Sequence, residues 1–432
     1  MQDSEAKFID VKDLRVGMYV FLDLDWMKHP FALNSFRIAS RDQIETIRGF
    51  GIEQIRWSPE QSDPDALRPR ELPPSPPNGN LVARQAVVDA VVAEAEALRQ
   101  RRQILTDQQE SLAACERQFA TAAHAFRQVA DSVDADPQQA RSRSEQVIGG
   151  MVERMLDQDE TDIRLLSENA GEKSSLHAVN VTVFALLLGK SLGLDAAELA
   201  DVGVGALLHD IGKMRIAERL RWYDADFSAV ELEAHQGHVA HGVAIGQAMG
   251  LAPRALAAIA EHHELADGSG YPRRLGGEDI VLSARICALV NQYDNLCNPP
   301  NPLQALTPHN ALSQIYAQMQ RHYDKALLAR FIRMMGVYPP GSAVELTDGR
   351  FALVVSVNSQ RPLKPRIVIF EPRVPRAEAM VEDLERLPKL GIRRSLKPQQ
   401  LPRAVFDYLS PRKRLCYYFE RARPAGEDGV VQ

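Results

Sequence analysis

The sequence has few cysteines and no long apolar run, and both absences narrow the class of protein. Its four cysteines are scattered without close pairs, at Cys115, Cys287, Cys297 and Cys416. This spacing argues against a disulfide framework and is typical of a protein in a reducing compartment. The richest apolar segment, Val181 to Leu188, ends at Gly189 and is far shorter than the ~20 residues of a membrane helix. We therefore expect a chain that does not span a membrane.

The sequence also lacks an excess of charge of one sign and a recognisable leader. Lys and Arg together number 51 and Asp and Glu 57, which gives a net charge of −6. Such a balance excludes a general binder of nucleic acid polymers, which needs a strongly basic surface. The first residues, MQDSEAK, have neither the basic nor the apolar region of a signal peptide. We expect a cytoplasmic location.

Length and local composition predict a mainly α protein built from several units. At roughly 150 residues per domain, the 432 residues hold two or three domains. The run PPSPPNG at 73–79 cannot continue a helix or a strand and marks a linker. The predicted units are a small α+β N-terminal domain (1–65), a Pro-rich linker (66–80), a helical spacer (81–136), a helical-bundle domain (137–335) and a β-rich C-terminal extension with a helix (336–432).

Hydrophobic periodicity predicts the main elements of these units. Short strands are expected at 18–22 and 52–57, with a helix at 41–49 between them. Residues 81–133, rich in Ala, Val, Glu, Gln and Arg, predict a long helix or a helical hairpin that serves as a spacer or a homodimer contact. In the last part of the chain we expect a hairpin of 343–346 and 351–357, a third strand at 365–370 and a helix at 376–387.

Histidine is the residue type that is concentrated in one part of the chain. Of the 11 histidines, seven lie between residues 177 and 263, where an even distribution would place about two. In the stretch LLHDIGK, His209 and Asp210 adjoin, and Lys213 lies one helical turn further on. An imidazole beside a carboxylate is a ligand pair for a divalent metal. Other histidines on separate amphipathic helices predict a metal centre inside a helical bundle; they are His177, His238, His262 and His263.

Four blocks of this region resemble the HD-GYP branch of the HD phosphohydrolase superfamily. They are SLHAVNV at 175–181, HDIGK at 209–213, HVAHG at 238–242 and HHELADGSGYP at 262–272. The order and spacing of the blocks agree with that family over residues 140–335. In addition, DVKDLRVGMYV at 10–20 is similar to the small domain of unknown function that often precedes HD-GYP domains, and YPPG at 338–341 resembles the β-rich extension that follows them.

The resemblance implies an HD-type helical bundle that uses two divalent metals, of iron or manganese type, to hydrolyse cyclic di-GMP. By position in the blocks, one metal would be held by His177, His209 and Asp210. Asp210 would bridge to a second metal held by His238, His262 and His263. Lys213 would neutralise charge that develops on the phosphate. The loop residues would form a wall of the site or a surface for signalling-protein partners; they are Asp267, Gly268, Gly270, Tyr271 and Pro272.

The sequence departs from the family pattern at three places. Asn291 stands where the family has an aspartate that completes the first metal's ligands, and a neutral amide is a weaker ligand than a carboxylate. Asp294, three residues on, lies near the same helical face and is an alternative ligand. The run CNPPNP at 297–302 has no cation where the family has an arginine-containing phosphate-binding run. Lys173 replaces the glutamate of three-metal members and Glu172 is out of phase by one residue, which favours two metals.

Three functional hypotheses follow from these observations. The first is a cyclic di-GMP phosphodiesterase in which Asp210 and Lys213 take part in catalysis. The second is a catalytically degenerate HD-GYP protein that binds or scaffolds partners, because Asn291 and the missing cations have removed the activity. The third is an HD enzyme that acts on a different nucleotide. Metal content and turnover measured together distinguish the three.

Overall fold

The fold was analysed in a computed structural model that describes residues 7–23, 31, 33–67, 81–158, 160–167, 173–358, 361–411 and 414–422. The chain forms two compact units, Met1–Val92 and Ala93–Gln432. The predicted linker run at 73–79 lies outside the described residues. Each unit is described by itself below.

The first unit is a small α+β structure with its own apolar core. Its strands are β1 (Lys7–Asp10), β2 (Tyr19–Phe21), β3 (Ser35–Arg37) and β4 (Gln54–Ser58), and its helices are α1 (Arg41–Arg48) and α2 (Pro64–Leu67). The sheet is antiparallel with the order β1-β4-β2-β3. The Ser40 side chain caps α1 by accepting a hydrogen bond from Gln43 N. The predicted strands at 18–22 and 52–57 and the helix between them are confirmed.

A single helix, α3 (Leu81–Ser132), occupies the region for which the sequence left a long helix or a hairpin open. Its 52 residues correspond to a length of about 78 Å. Large apolar side chains in its first half are exposed, with Val91 at 60% and Leu98 at 62%. From Cys115 onward, side chains such as Phe119 and Val129 are buried in the core of the second unit.

The second unit is a helical bundle around the buried helix α5. The helices are α4 (Pro137–Leu156), α5 (Lys173–Ser191), α6 (Ala196–Leu208), α7 (Ala229–Gln236), α8 (His238–Met249), α9 (Pro253–Glu261), α10 (Leu282–Cys297), α11 (Pro308–Gln318), α12 (Lys325–Met335) and α13 (Arg403–Leu409). The side chains from Leu176 to Leu188 are all buried, which is why this apolar run forms a core helix. Among the described residues, no helix has the length and apolar character needed to cross a membrane.

A sheet of seven strands packs beside this bundle. The strands are β5 (Thr161–Leu165), β6 (Ala343–Leu346), β7 (Phe351–Asn358), β8 (Arg366–Ile369), β9 (Val381–Asp383), β10 (Ile392–Leu396) and β11 (Tyr417–Arg421). The path is β10-β6-β7-β5-β11, and β8 joins β7 to β9. The predicted hairpin of β6 and β7 and the third strand β8 are confirmed. The fold class, mainly α with smaller β-containing parts at both ends, is confirmed as well.

The structure adds one strand that the sequence did not predict and replaces one predicted helix. The added strand is β5, which lies within the mainly helical region 137–335 and pairs with β7 and β11. The helix expected at 376–387 is a short 3₁₀ turn, Arg376–Glu378, followed by strand β9. Pairing of β9 with β8 overrides the helix propensity of this segment.

Candidate metal centre

The end of α6 places His209 and Asp210 at the centre of the bundle. After Leu208 the chain continues into a 3₁₀ helix, Ile211–Arg215, which packs closely on α8. A Cβ atom on Gly212 would lie 1.9 Å from His238 O, so only glycine permits this approach. The close contact brings His238, the first residue of α8, next to Asp210.

The Asp210 carboxylate lies between two groups of imidazoles. Its Oδ2 atom is 3.4 Å from His209 Nε2 and 3.7 Å from His177 Nε2. Its Oδ1 atom is 3.5 Å from His238 Nε2 and 3.7 Å from His262 Nε2. In each of the groups His177-His209-Asp210 and Asp210-His238-His262-His263, the possible ligand atoms lie within 4.8 Å of one another. The structure therefore brings together six of the sequence-predicted metal ligands, with Asp210 shared between the two groups.

Hydrogen bonds to the backbone fix the orientation of three of these rings. The Nδ1 atoms of His209, His238 and His262 contact the carbonyl oxygens of Ala206, His235 and Ile259, at 2.7, 2.6 and 2.9 Å. A carbonyl oxygen only accepts, so each Nδ1 carries the proton and each Nε2 presents its lone pair to the centre. Metal-binding histidines are held in this way by a partner on the ring nitrogen that faces away from the metal.

The same geometry leaves lone pairs facing each other unless a cation lies between them. His177 Nε2 is 3.2 Å from His209 Nε2, and His238 Nε2 is 3.3 Å from His262 Nε2. Burial lowers the pKa of His209 to about 4 and that of His238 to about 3, so both rings are neutral near pH 7. Among the described residues, Asp210 Oδ1 and His263 Nε2 are buried without a hydrogen-bond partner. These inward-facing acceptors fit divalent cations.

Lys213 balances the charge of Asp210. Its Nζ atom lies 2.6 Å from Asp210 Oδ2 and 5.2 Å from the centre of the Trp222 ring. Burial by itself would raise the pKa of Asp210, but the Lys213 ammonium and the neighbouring His209 outweigh burial and hold that pKa well below its ordinary value. Asp210 is therefore an ionised carboxylate at neutral pH.

The loop at 267–272 folds back onto His263. The ring of Tyr271 stacks on that of His263 with centroids 4.6 Å apart, and Tyr271 N donates to His263 O at 3.1 Å. A Cβ atom on Gly270 would lie 2.4 Å from the same carbonyl oxygen, so glycine is required there. Gly268 has a φ of +77°, and the exposed Asp267 accepts from Ser269 N and Oγ. Pro272 follows in an exposed position. Tyr271 thus contributes a wall of the site.

Asn291 and Asp294 are both buried on α10 but have different partners. The amide oxygen of Asn291 accepts a hydrogen bond from Asn295 Nδ2 at 2.8 Å. Asp294 Oδ2 lies 2.6 Å from His177 Nδ1, on the side of that ring opposite to Nε2. Asp294 is therefore a partner of a candidate ligand, where the sequence offered it as a direct ligand. Glu172, discussed above with Lys173, lies outside the described residues.

Sequence reasoning also missed two glutamates that hold the loop in place. Glu264 is buried and accepts from Arg273 N at 2.6 Å and Leu275 N at 2.9 Å. Glu261 is buried and binds Arg273 Nη2 at 2.5 Å and Val281 N at 3.1 Å. Their position directly before and after the histidine pair 262–263 was the available signal.

Comparison with known proteins finds family models for two parts of the chain. A family model described as "Domain of unknown function (DUF3391)" matches residues 6–143, and one described as "HD domain" matches residues 144–327. A cyclic di-GMP phosphodiesterase of Pseudomonas aeruginosa is 26% identical over 379 residues, which cover 84% of this chain and 85% of the relative.

Two further relatives match only part of the chain. A 3'3'-cGAMP-specific phosphodiesterase of Vibrio cholerae is 30% identical over 166 residues, 37% of this chain and 31% of the relative. The cyclic di-GMP phosphodiesterase response regulator RpfG of Xanthomonas campestris is 33% identical over 150 residues, 34% of this chain and 39% of the relative. The chain thus spans well under half of these two relatives. A solved HDG"Y"P protein from Bdellovibrio bacteriovorus matches with 14% identity and a TM-score of 0.41, covering 76% of this chain and 98% of that one.

Proposed function

Because the chain belongs to the HD-domain family and has its HD-GYP motifs, we propose that it is a metal-dependent phosphodiesterase that hydrolyses cyclic di-GMP. The observation that carries the proposal is the Asp210 carboxylate shared between two groups of inward-facing imidazoles. Two metal ions, of iron or manganese type, would be held by His177, His209 and Asp210 and by Asp210, His238, His262 and His263. When bound, they would supply Lewis acidity toward the phosphodiester and lower the pKa of water.

The side chains around the centre would orient the substrate and balance its charge. The Lys213 ammonium is a cation next to Asp210, and its side chain is 17% exposed, so it is accessible to a phosphate oxygen. The half-exposed Tyr271 ring, stacked on His263, would form one wall against the substrate and keep that imidazole in place. The backbone bonds on Nδ1 would keep the other imidazoles aimed inward while the substrate binds.

Turnover of cyclic di-GMP tests this proposal directly. Purified protein loaded anaerobically with Fe²⁺ or Mn²⁺ is expected to hydrolyse the dinucleotide, and His209→Ala or Asp210→Ala is expected to abolish hydrolysis. A panel that includes 3'3'-cGAMP and linear dinucleotides distinguishes the substrate from other nucleotides. Absence of turnover with every metal tested would contradict the proposal.

Asn291 favours a second candidate function, a catalytically degenerate binding or scaffold protein. Its amide oxygen is used by Asn295, and it brings no negative charge to a centre in which Asp210 is the carboxylate. In that case the loop at 267–272 would serve a signalling-protein partner. Metal analysis separates the two functions, since two bound metals per chain support the enzyme and one or none supports the scaffold.

We also infer that α3 forms a homodimer contact. Val91, Ala95 and Leu98 are spaced four and three residues apart, as the a and d positions of a coiled coil are. All three are exposed. Parallel pairing of two copies would set Glu94 of one against Arg99 of the other, which is an attractive pair. The four free, buried cysteines support the cytoplasmic location expected for such a protein.

Sedimentation velocity tests the dimer. The chain is expected to sediment as a dimer at micromolar concentration, and Val91→Lys with Leu98→Lys is expected to make it monomeric. Ala93→Lys, which lies outside the seam on the same helix, is the matched control and should leave the dimer intact. A monomeric parent chain would contradict the inference.

A further inference from the structure

Behind His177, on the side away from Asp210, lies a buried hydrogen-bond network centred on Asp294. Asp294 Oδ2 accepts from His177 Nδ1 at 2.6 Å. The other oxygen, Oδ1, accepts from Asn180 Nδ2 and from Asn298 Nδ2, both at 2.8 Å. Asp294 and Asn180 have no exposed surface. Both oxygens of the carboxylate are therefore engaged as acceptors inside the protein.

The same two asparagines also bind the backbone of the C-terminal segment Leu415–Tyr417. Leu415 O accepts from Asn180 Nδ2 at 2.7 Å and from Asn298 Nδ2 at 3.0 Å. In return, Tyr417 N donates to Asn180 Oδ1 at 2.9 Å, and Leu415 N donates to Asn298 Oδ1 at 2.8 Å. Each amide thus joins the C-terminal backbone to the Asp294 carboxylate.

We propose that Asp294 is a positioning residue for the first metal site and that the segment Leu415–Tyr417 holds it in place through Asn180 and Asn298. The proposal rests on the metal-binding role proposed above for His177. A carboxylate on Nδ1 keeps the proton there and leaves the Nε2 lone pair facing His209 Nε2 and Asp210 Oδ2, at 3.2 and 3.7 Å. The C-terminal extension would therefore help to orient a ligand of the metal centre.

The C-terminal segment affects His177 because leaving buried polar groups unpaired costs free energy. If residues 415–417 leave their position, Asn180 and Asn298 each lose both of their backbone partners. The two amides then rotate to find other partners, and Asp294 Oδ1 loses donors that a buried carboxylate needs. His177 would then be free to turn away from the metal site.

The variant Asp294→Asn tests the positioning role without changing side-chain volume. Asn180 and Asn298 both donate to the site of Oδ1, so the amide oxygen of the new asparagine would lie there. Its NH₂ group would then replace Oδ2 and face His177 Nδ1. The ring would then carry its proton on Nε2, where the metal binds. Competition with a chromophoric chelator for Mn²⁺ is expected to show one of two sites weakened about 10-fold to 100-fold and the other unchanged. Long-range ¹H–¹⁵N spectra of the metal-free chain should show the change of tautomer.

A double-mutant cycle tests whether the C-terminal segment acts on His177 through Asn298 and Asp294. Asn298→Ala is expected to weaken Mn²⁺ binding about 5-fold, the effect of one ordinary hydrogen bond, and to have no further effect in the Asp294→Asn background. Glu420→Gln is the matched control, because Glu420 lies on the same C-terminal strand but bonds to Ser111 and Arg164. It should lower thermal stability and leave metal affinity unchanged.

Several outcomes would overturn the proposal. The first is an Asp294→Asn variant with the Mn²⁺ affinity and the His177 tautomer of the parent chain. The second is an Asn298→Ala substitution that lowers Mn²⁺ affinity equally in the parent chain and in Asp294→Asn. The third is a Glu420→Gln variant that loses as much Mn²⁺ affinity as Asn298→Ala. A parent chain that binds no Mn²⁺ would also reject it. If the metal measurements behave as expected and cyclic di-GMP is not hydrolysed, the proposed function fails while the positioning role stands.

Discussion

Asp210 is the carboxylate of both candidate ligand groups, and its charge is already shared with Lys213. Two divalent cations at this position would bring four positive charges to a centre with one carboxylate and five imidazole rings. Asp294 lies behind His177 and contacts the Nδ1 atom of that ring. The number of carboxylates at this point therefore limits how tightly metals are held.

Asn291→Asp is expected to raise metal affinity and turnover. The new carboxylate adds one negative charge on the helix that carries Asp294, and we expect Mn²⁺ affinity to rise by about 10-fold, since anionic oxygen ligands outweigh amides. The matched control is Asn295→Asp, one turn further along the same helix, which adds the same charge. Calorimetric titration with Mn²⁺ measures both. Equal affinities in the parent chain and Asn291→Asp would show that the first ligand group needs no second carboxylate.

Gly212→Ala is expected to destabilise the second unit. The added methyl group would overlap His238 O and Gly242 N, both of them backbone atoms, so the 3₁₀ helix must move away from α8. We expect a loss of about 2–3 kcal/mol in the free energy of unfolding, together with weaker metal binding. Gly149→Ala, on α4 with nothing within 4 Å of the added methyl, should be neutral or slightly stabilising. Urea denaturation compares the two, and equal stabilities would refute the packing argument.

At the scale of elements, β5 connects the helical bundle to the C-terminal sheet. It follows α4 in sequence but pairs with β7 on one side and β11 on the other. All five of its side chains are buried, including Asp162, which is 3.1 Å from Arg366 Nη1. A strand buried on both faces carries this carboxylate because an arginine from β8 reaches it.

Asp162 is expected to make stability depend on pH between about 4 and 6. Burial raises the pKa of this carboxyl to about 6, above its value in an unfolded chain, so the folded state binds the proton more strongly over this range. The contribution of Asp162 to the free energy of unfolding therefore falls as pH rises from 4 to 6, by up to about 3 kcal/mol, and is constant above that.

The variant Asp162→Asn should lack this contribution to the pH dependence of the free energy of unfolding. Compared with the parent chain, it should gain relative stability as pH rises, measured by urea denaturation at a series of pH values. Asp383→Asn, which removes another carboxylate that contacts Arg366, at 3.6 Å, is the control. Stability curves of the parent chain and Asp162→Asn that stay parallel across the range would contradict this assignment.

The sequence predicts elements whose signals are local, and it fails where a strand is defined by its pairing with another strand. The hairpin of β6 and β7 follows from the turn at Thr347-Asp348-Gly349, in which Gly349 has a φ of +85°. Neither β5 nor β9 has such a signal, because each exists through pairing with another strand. The histidine and Asp210 positions follow from motif blocks, whereas the bond from His177 to Asp294 spans 117 residues and needed the fold.

At the scale of the whole molecule, removal of metal should affect one unit and leave the other unchanged. All candidate ligands lie in Ala93–Gln432. Ligand at 100 times its dissociation constant stabilises a folded state by about 2.7 kcal/mol, which corresponds to a rise in melting temperature of roughly 4 °C for a unit as large as Ala93–Gln432. Chelation with EDTA should reverse that rise.

Tryptophan fluorescence can follow the two units separately. Trp222, beside Lys213, is the only tryptophan after residue 57. A Trp26→Phe, Trp57→Phe variant should show a melting temperature that rises with Mn²⁺ and falls with EDTA. Trp222→Phe, which reports only the first unit, should show a melting temperature independent of metal. Equal shifts in the two variants would mean that the units melt together.

The hydrogen bonds from Asn180 and Asn298 to Leu415–Tyr417 also have a consequence for the chain during its synthesis. The ribosome synthesises His177 early, but the backbone atoms that complete its surroundings come 235 residues after Asn180. A chain still in synthesis has its imidazoles and lacks the segment that would hold the first of them in place. By this reasoning a chain still in synthesis, or a fragment that ends before Leu415, would bind the first metal more weakly than a chain that contains this segment.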